Sequence, residues 1–301
     1  MNRVHGPNKL IHWLDRHIKT VFLLASVVFV LVMVVFPLVY NLLLSFTEWS
    51  MSQVDPPRFV GVRNYVNLVL EPRFLNAVFR TLVYSFGSLC AQVFFGVALA
   101  LYLNREFYGK SIIKTFLLLP MVMTPVAVGM IWLLIYEPTI GLANYLLELV
   151  HLPKLLWLGS QHTALVSLML VDVWEWTPFI TIITLAGLSA LPEEVFESAK
   201  VDGATSWQTL YSITIPMVFP TVIIAALLRL IDVLKTFDIL YSTTQGGPGF
   251  ATENINILGY LKAFQYFEFG SSAATLVVFF LMVLGATILM LFLKKYFVVE
   301  Q

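Results

Sequence analysis

The 25-residue stretch LPEEVFESAKVDGATSWQTLYSITI, Leu191–Ile215, lies between two apolar runs and predicts an abrupt change of chain direction. Pro192 suits the first turn of a helix, because its φ is already fixed there and its missing N–H needs no partner. Gly203 is predicted to end that helix, since glycine accepts the left-handed backbone that terminates many helices. Thr205 or Ser206 is placed to cap a second helix that continues into the next apolar run. The stretch therefore predicts a short helix, a corner and a membrane helix.

The short helix is predicted to be acidic on its exposed side. Its acidic residues outnumber its one basic residue, Lys200, and most of them occupy the first turns, where the helix dipole favours negative charge. These acidic residues are Glu193, Glu194, Glu197 and Asp202. Val195, Phe196 and Ala199 would supply an apolar face that inserts into a groove on a soluble partner. A solvated connector would also explain the acidic residues, but it does not account for the corner at 202–204.

On both sides of this stretch the chain is far more apolar than a soluble protein. Its 301 residues are 59% hydrophobic and 12% charged, with a mean hydropathy of +0.85, whereas soluble domains are about 25% charged. A membrane-spanning helix needs about 20 apolar residues, and six runs approach that length. They are 20–47, 81–104, 115–136, 163–187, 213–234 and 269–293. We therefore predict an all-α, polytopic membrane protein with an N-terminal tail 1–19, a single membrane domain 20–301 and a connecting loop 188–212.

The distribution of lysine and arginine predicts that both termini are cytoplasmic. With that orientation the inner segments carry ten basic residues in 59 positions, and the outer segments carry seven in 98. Basic residues are enriched on the cytoplasmic side of membrane proteins. Lys plus Arg and Asp plus Glu number 18 each, so no net field attracts nucleic acid.

Charged residues interrupt two of the predicted spans, and such residues are costly in a bilayer. Asp172 and Glu175 are three residues apart in the fourth span, so they share a helix face beside Trp176. Arg229 and Asp232 have the same spacing in the fifth span, and pairing with each other would reduce their cost. These groups would line a solute pathway, form a structural salt bridge or relay protons. The spacing alone leaves these alternatives open.

The third predicted span carries two prolines, Pro120 and Pro125. Each removes a backbone donor and bends its helix. A bend inside a bundle lines a cavity or permits motion, although proline is also commoner in membrane helices than in soluble ones. We expect a bend in this span.

No set of residues indicates catalysis. The sequence has no phosphate-binding loop, its five histidines have no metal-ligand spacing, and Cys90 is its single cysteine. We therefore predict a transport component rather than an enzyme, with no catalytic residue, metal or cofactor of its own. The rival hypothesis is a stand-alone, ion-coupled secondary transporter, in which Asp172, Glu175 and Asp232 bind a proton or cation.

The stretch ESAKVDGA at 197–204, followed by ITIP at 213–216, resembles the cytoplasmic signature of binding-protein-dependent ABC importer permeases. That signature reads E-A-A, three residues later D-G-A, and then I-x-L-P. Ser198 replaces its middle alanine and Ile215 replaces its leucine. Segments that are similar to the carbohydrate branch, of the maltose and oligosaccharide uptake type, include 59–65, 119–125, 174–178, 185–188 and 246–248.

The resemblance implies a type I ABC importer permease fold and an import function. Such a permease works with a second homologous permease, two ABC ATPase subunits that bind ATP and Mg²⁺, and an extracytoplasmic solute-binding protein. It would lie in a bacterial or archaeal plasma membrane and pass a sugar or polyol inward by alternating access. The resemblance does not name the solute.

The resemblance also assigns roles to individual residues. It implies that the ATPase-coupling residues are Glu197, Ala199, Asp202, Gly203, Ala204 and Pro216. It places solute-binding side chains in the fifth span after the signature prolines, which here are Arg229, Asp232, Val233 and Thr236. To these the intramembrane charges of the fourth span add Asp172, Glu175 and Trp176 as candidates for the solute site.

Overall fold

The computed structural model describes residues 9–50 and 56–298, and most of this chain is helical. Five helical segments are long and apolar enough to cross a membrane: His17–Leu44, Pro72–Leu103, Ala164–Ser189, Ser206–Leu234 and Phe269–Phe292. A bent pair of helices, Lys110–Val122 and Pro125–Ile135, gives a sixth crossing when it is counted as one span. The predicted all-α, polytopic architecture is confirmed.

The helices, in chain order, are α1 (Lys9–Val30), α2 (Phe36–Leu44), α3 (Arg63–Leu70), α4 (Pro72–Leu103), α5 (Lys110–Val122), α6 (Pro125–Ile135), α7 (Leu142–Leu149), α8 (Ala164–Ser189), α9 (Glu193–Val201), α10 (Ser206–Thr209), α11 (Ile215–Leu234), α12 (Asp238–Thr244), α13 (Ile255–Phe264) and α14 (Phe269–Val298). Two short strands, β1 (Thr47–Glu48) and β2 (Arg58–Phe59), pair antiparallel after the first span.

Two π-helical turns, Leu31–Val35 and Leu210–Thr214, join α1 to α2 and α10 to α11. Each turn lies immediately before a helix with proline at its second position, Pro37 or Pro216. A proline ring clashes with the carbonyl group four residues earlier, and a widened turn relieves that clash. The first and fifth spans therefore continue past their prolines.

The third predicted span is not one continuous helix. The helices α5 and α6 meet at 100° across a break at Met123 and Thr124, which have extended backbones. Pro125 follows the break, and proline disfavours helical geometry in the residue before it. The bend expected from the two prolines is present, and it takes the form of a break between two helices.

The second span extends beyond its apolar run. Helix α4 begins at Pro72, before the predicted start at 81, and so includes Arg73. The Arg73 guanidinium is bound in two places by the Glu253 carboxylate, with Nη2–Oε2 at 2.6 Å and Nε–Oε1 at 2.8 Å. This bidentate pair fixes the first turn of α4 to the segment before α13.

The core of the bundle is formed by α4, α8 and α11, which pack against one another. Helix α14 lies against α13, α11, α3 and α2, whereas the apolar side chains of α1 and α2 are largely exposed and suit contact with lipid. Buried polar residues on these three helices include Ser85, Ser88, Gln92, Asp172, Glu175, Thr181, Thr184 and Arg229.

Candidate functional site

A hydrogen-bonded triad joins the three core helices. Arg229 of α11 donates from Nη2 to Oδ1 of Asp172 on α8 at 2.7 Å, and from Nε to Oε1 of Gln92 on α4 at 3.0 Å. Gln92 in turn donates from Nε2 to Oδ2 of Asp172 at 2.6 Å. All three residues are almost completely buried. Because each contributes to two of the bonds, the triad fixes the relative positions of α4, α8 and α11.

The guanidinium of Arg229 is also covered on one face. The indole ring of Trp176 lies over it, with 4.6 Å between the Arg229 Cζ atom and the ring centroid. A cation over the face of tryptophan is attracted by the ring quadrupole. Paired with a carboxylate and stacked on an aromatic ring, the buried charge of Arg229 is compensated within the chain.

A cavity of about 330 Å³ opens beside this triad. Its wall contains five of the seven predicted solute-site residues, namely Asp172, Trp176, Arg229, Asp232 and Thr236. The remaining lining residues are Pro125, Lys235, Phe237, Asp238 and Ile239. The break between α5 and α6 therefore contributes to the cavity through Pro125.

Two predicted solute-site residues do not line the cavity. Val233 is buried in the main apolar cluster of the bundle. Glu175 is fully buried, and neither of its carboxylate oxygens has a hydrogen-bond partner among the residues that the structure describes.

The pairing of Arg229 with Asp232 predicted from their spacing is wrong. Arg229 pairs instead with Asp172 on another helix, and Asp232 approaches Lys235 with an Oδ1–Nζ distance of 3.6 Å. Asp232 and Lys235 are both about half exposed. A buried guanidinium is stabilised by a partner that is desolvated together with it, and Asp172 satisfies that condition whereas Asp232 does not.

Sequence reasoning missed Gln92. It is one of two amide side chains in the apolar run 81–104, and the other, Asn104, is the last residue of that run. An isolated amide inside a membrane helix often forms a hydrogen bond to another helix. That feature was sufficient to nominate the residue. Its two partners, on α8 and α11, become apparent only from the packing of the helices.

The stretch 191–215 forms the predicted corner. Helix α9 follows Pro192 and ends in a Schellman motif, in which Gly203 has φ +74° and the Ala204 N–H donates to the Ala199 carbonyl group at 2.9 Å. Thr205 caps α10 in a capping box with Gln208. Thr205, one of the two predicted caps, is confirmed.

The predicted coupling residues surround this corner, but they differ in exposure. Glu197, Asp202 and Gly203 are exposed, Ala199 is buried beneath them, and Ala204 is half-buried. Pro216, which is also half-buried, lies in the first turn of α11. We call the segment from α9 through α10, 193–209, the elbow. Its acidic side chains are exposed on its outer side, and Ala199 is buried on its inner side.

Residues 92–298 match the family described as binding-protein-dependent transport system inner membrane component. This match covers more than half of the chain and includes the triad, the cavity and the elbow. The chain belongs to this family. Its members are transport components rather than enzymes, and the chain is accordingly a multi-pass permease of an ABC importer that works with a solute-binding protein.

Curated relatives agree with this assignment. The chain is 34% identical over 265 residues to the trehalose/maltose transport system permease protein MalF of Thermococcus litoralis, covering 87% of this chain and 88% of the relative. It is 31% identical over 288 residues to the probable ABC transporter permease protein YurN of Bacillus subtilis, covering 94% and 96%. The family assignment favours the ABC importer over the secondary transporter considered above.

Solved structures show the same fold. A chain of a bacterial ABC transporter involved in the import of the acidic polysaccharide alginate matches with a TM-score of 0.82 and 21% identity, covering 96% of this chain and 99% of that chain. The predicted type I permease fold is confirmed.

Proposed function

We propose that this permease imports a neutral sugar or polyol and binds it in the cavity beside the Gln92–Asp172–Arg229 triad. The observation that carries the proposal is the lining of that cavity, which combines carboxylates, an ammonium group and a hydroxyl group with the two aromatic side chains of Trp176 and Phe237. Sugar sites combine such hydrogen-bonding groups with an apolar ring face. Relatives named for trehalose/maltose, trehalose and multiple-sugar transport support a carbohydrate.

The charges of the cavity support a neutral solute. Arg229 is neutralised by Asp172, and Asp232 lies near Lys235. Asp238 also lines the cavity, is exposed and has no ion-pair partner within the described ranges. The lining therefore carries one excess negative charge, which would repel a carboxylate, phosphate or sulfonate group.

The exposed elbow supports the proposed route of energy transfer. We propose that Glu197, Asp202 and Gly203 face a groove on a cytoplasmic ABC ATPase, while Ala199, Ala204 and Pro216 set the angle of the elbow. A second homologous permease and two ATPases, which bind ATP and Mg²⁺, would complete the assembly in a bacterial or archaeal plasma membrane. Both termini would then be cytoplasmic.

The proposal is tested by reconstituting the permease with its sister permease, its ATPases and its solute-binding protein in liposomes. ATP-dependent uptake of trehalose, maltotriose and glycerol is compared with uptake of a uronic-acid trisaccharide and glycerol phosphate. We expect uptake of at least one neutral solute and none of the acidic ones. Uptake of only acidic solutes would overturn the proposal.

Asp238→Asn tests whether the excess negative charge of the cavity excludes acidic solutes. The change removes the excess negative charge and should admit acidic solutes while leaving neutral uptake near its original rate. Glu268→Gln, an exposed acid outside the cavity lining, is the matched control. If Asp238→Asn leaves the ratio of neutral to acidic uptake unchanged, this carboxylate does not select the solute.

A further inference from the structure

A second cavity, of about 650 Å³, lies under the elbow and is twice as large as the one beside the triad. Its walls come from the last turns of α4, from α9, and from α10 with the π-helical turn that follows it. The lining residues whose charge or apolar surface could contact a ligand are Leu101, Tyr102, Arg105, Lys200, Trp207 and Leu210. The proposed solute pathway uses none of them.

The lining of this cavity is basic. Arg105 and Lys200 are both exposed, and neither forms an ion pair or a side-chain hydrogen bond with any part of the chain that the structure describes. No aspartate or glutamate lies among the lining residues, although acidic residues are abundant on the outer side of α9. Two uncompensated cations thus face the same space from two different elements.

The ends of two membrane spans place the cavity at the level of the membrane surface. Helix α4 ends at Leu103 and the fifth spanning segment begins at Ser206, so two spans terminate beside it. Tyr102 and Trp207 are exposed at this level, and Trp207 stacks on Tyr211 with ring centroids 5.5 Å apart. Tyrosine and tryptophan concentrate where hydrocarbon meets headgroups.

The wall of the cavity changes from polar to apolar along the spans. Arg105 and Lys200 mark its polar part, and Ser206 and Thr209 add hydroxyl groups. Leu101 lies in the last turn of α4, before Arg105, and the lining continues to Ala98, which is about one turn further into the span. A ligand that fits both parts has an anionic head and an apolar tail.

We infer that this cavity binds the headgroup of an anionic phospholipid, with the phosphate between Arg105 and Lys200 and an acyl chain along Leu101. Basic pockets between membrane helices bind anionic headgroups in this manner, and the volume lies in the range of small-ligand sites, about 300–1,000 Å³. Because Lys200 belongs to the elbow and Arg105 follows α4, the bound phosphate would link the elbow to the membrane helices.

The test measures lipid that remains bound to the assembled transporter. The complex is incubated in mixed phosphatidylcholine and phosphatidylglycerol vesicles and purified in detergent, and bound phosphatidylglycerol is counted by native mass spectrometry. Arg105→Gln should lower the affinity about fivefold, since each basic residue near an anionic headgroup contributes about that much. Lys200→Gln should do the same, and Arg105→Lys should retain the lipid.

Lys294→Gln combined with Lys295→Gln is the matched control, because these lysines lie near the end of α14, the sixth span, at the same membrane surface as the end of α4. The control should leave the bound lipid unchanged. An equal loss in the control would indicate non-specific attraction to the surface and overturn the inference. Unchanged binding in both Arg105→Gln and Lys200→Gln would also overturn it.

Inorganic phosphate distinguishes a lipid from a free anion. Phosphate added in excess should not displace phosphatidylglycerol, because it lacks the tail that contacts Leu101. Displacement that depends on Arg105 would assign the cavity to a soluble phosphate and overturn the lipid assignment. Size-exclusion profiles and thermal unfolding of each variant establish that the complex is intact, and lipid binding is measured without any assumption about the transported solute.

Discussion

Arg229 and Asp172 form a fully desolvated ion pair between α11 and α8, with 2.7 Å between Nη2 and Oδ1 and no more than 2% of either side chain exposed. The pair faces the cavity that we propose for the solute, yet Gln92 and Trp176 also contact the guanidinium. Such a pair holds two helices together and at the same time forms part of a binding surface. Stability and transport measurements separate these two contributions.

Asp172→Asn should destabilise the complex strongly. The change preserves the shape of the side chain but leaves the buried guanidinium of Arg229 without a counter-charge, and breaking a buried pair in this way costs about 3–5 kcal/mol. We expect a clear fall in the thermal unfolding temperature of the purified complex. An unfolding temperature equal to that of the wild type would show that the pair does not hold α8 to α11.

Glu175→Gln is the contrasting variant on the same helix. Glu175 is buried one turn from Asp172, but its carboxylate oxygens have no hydrogen-bond partner in the described chain and no cation lies within ion-pair distance. A neutral amide of the same shape removes any unpaired charge, which is costly in a buried position. The unfolding temperature should stay the same or rise, and a fall as large as that of Asp172→Asn would contradict this.

These two residues also show how far the sequence defines the site. The spacing of Asp172 and Glu175 predicted one shared helix face, but only Asp172 lines the cavity. Five of the seven predicted solute residues line that cavity. Sequence spacing, however, indicates only which residues of the same helix are neighbours. It therefore favoured Asp232 as the partner of Arg229. The actual partners lie 57 and 137 residues away in the chain, and only helix packing brings them together.

The fold was more predictable than the site because its determinants are local. Long apolar runs define most of the spans, and the corner at Gly203 follows from the backbone preferences of three consecutive residues. The break between α5 and α6 was foreseen only as a bend. Two prolines indicate that a helix is disturbed, whereas the angle of 100° depends on the surfaces against which α6 packs, including α12.

Gly96→Ala should separate α4 from α8. A Cβ atom at this position would lie 2.7 Å from both Cβ and Cγ2 of Ile180, and the branched side chain of Ile180 is fully buried and cannot move aside. Overpacking of this kind costs about 1–3 kcal/mol. Gly285→Ala, where a Cβ would meet nothing within 4 Å, is the control in the same type of helix. Equal unfolding temperatures for the two variants would contradict close packing at Gly96.

The loop after α6 should depend on pH through Glu137. Its carboxylate accepts hydrogen bonds from the Ile140 N–H at 2.6 Å and from the N–H and hydroxyl of Thr139, each at 2.7 Å, and these bonds lower the pKa of Glu137 below 4.5. A lowered pKa in the folded state means that the stabilisation is present at neutral pH and is lost as pH falls through the folded-state value.

Glu137→Gln removes that dependence. The unfolding temperature of the variant should be lower than that of the wild type at neutral pH, and the difference should shrink as the pH falls below the ordinary glutamate pKa of about 4.3. The opposite trend, a difference that grows in acid, would show that the carboxylate does not order this loop through its ionised form.

Substitutions at Gly203 test the elbow directly. Gly203 has φ +74°, and a Cβ at this position would meet nothing within 4 Å, so only the backbone conformation restricts the residue. Asparagine tolerates the left-handed region far better than a β-branched residue does. Gly203→Val should therefore distort the corner and abolish ATP-dependent uptake while membrane insertion remains intact, whereas Gly203→Asn should retain much of the activity. Uptake by Gly203→Val at the original rate would refute the role of the elbow in coupling. An equal loss of uptake in both variants would show that side-chain size, rather than backbone conformation, matters at this position.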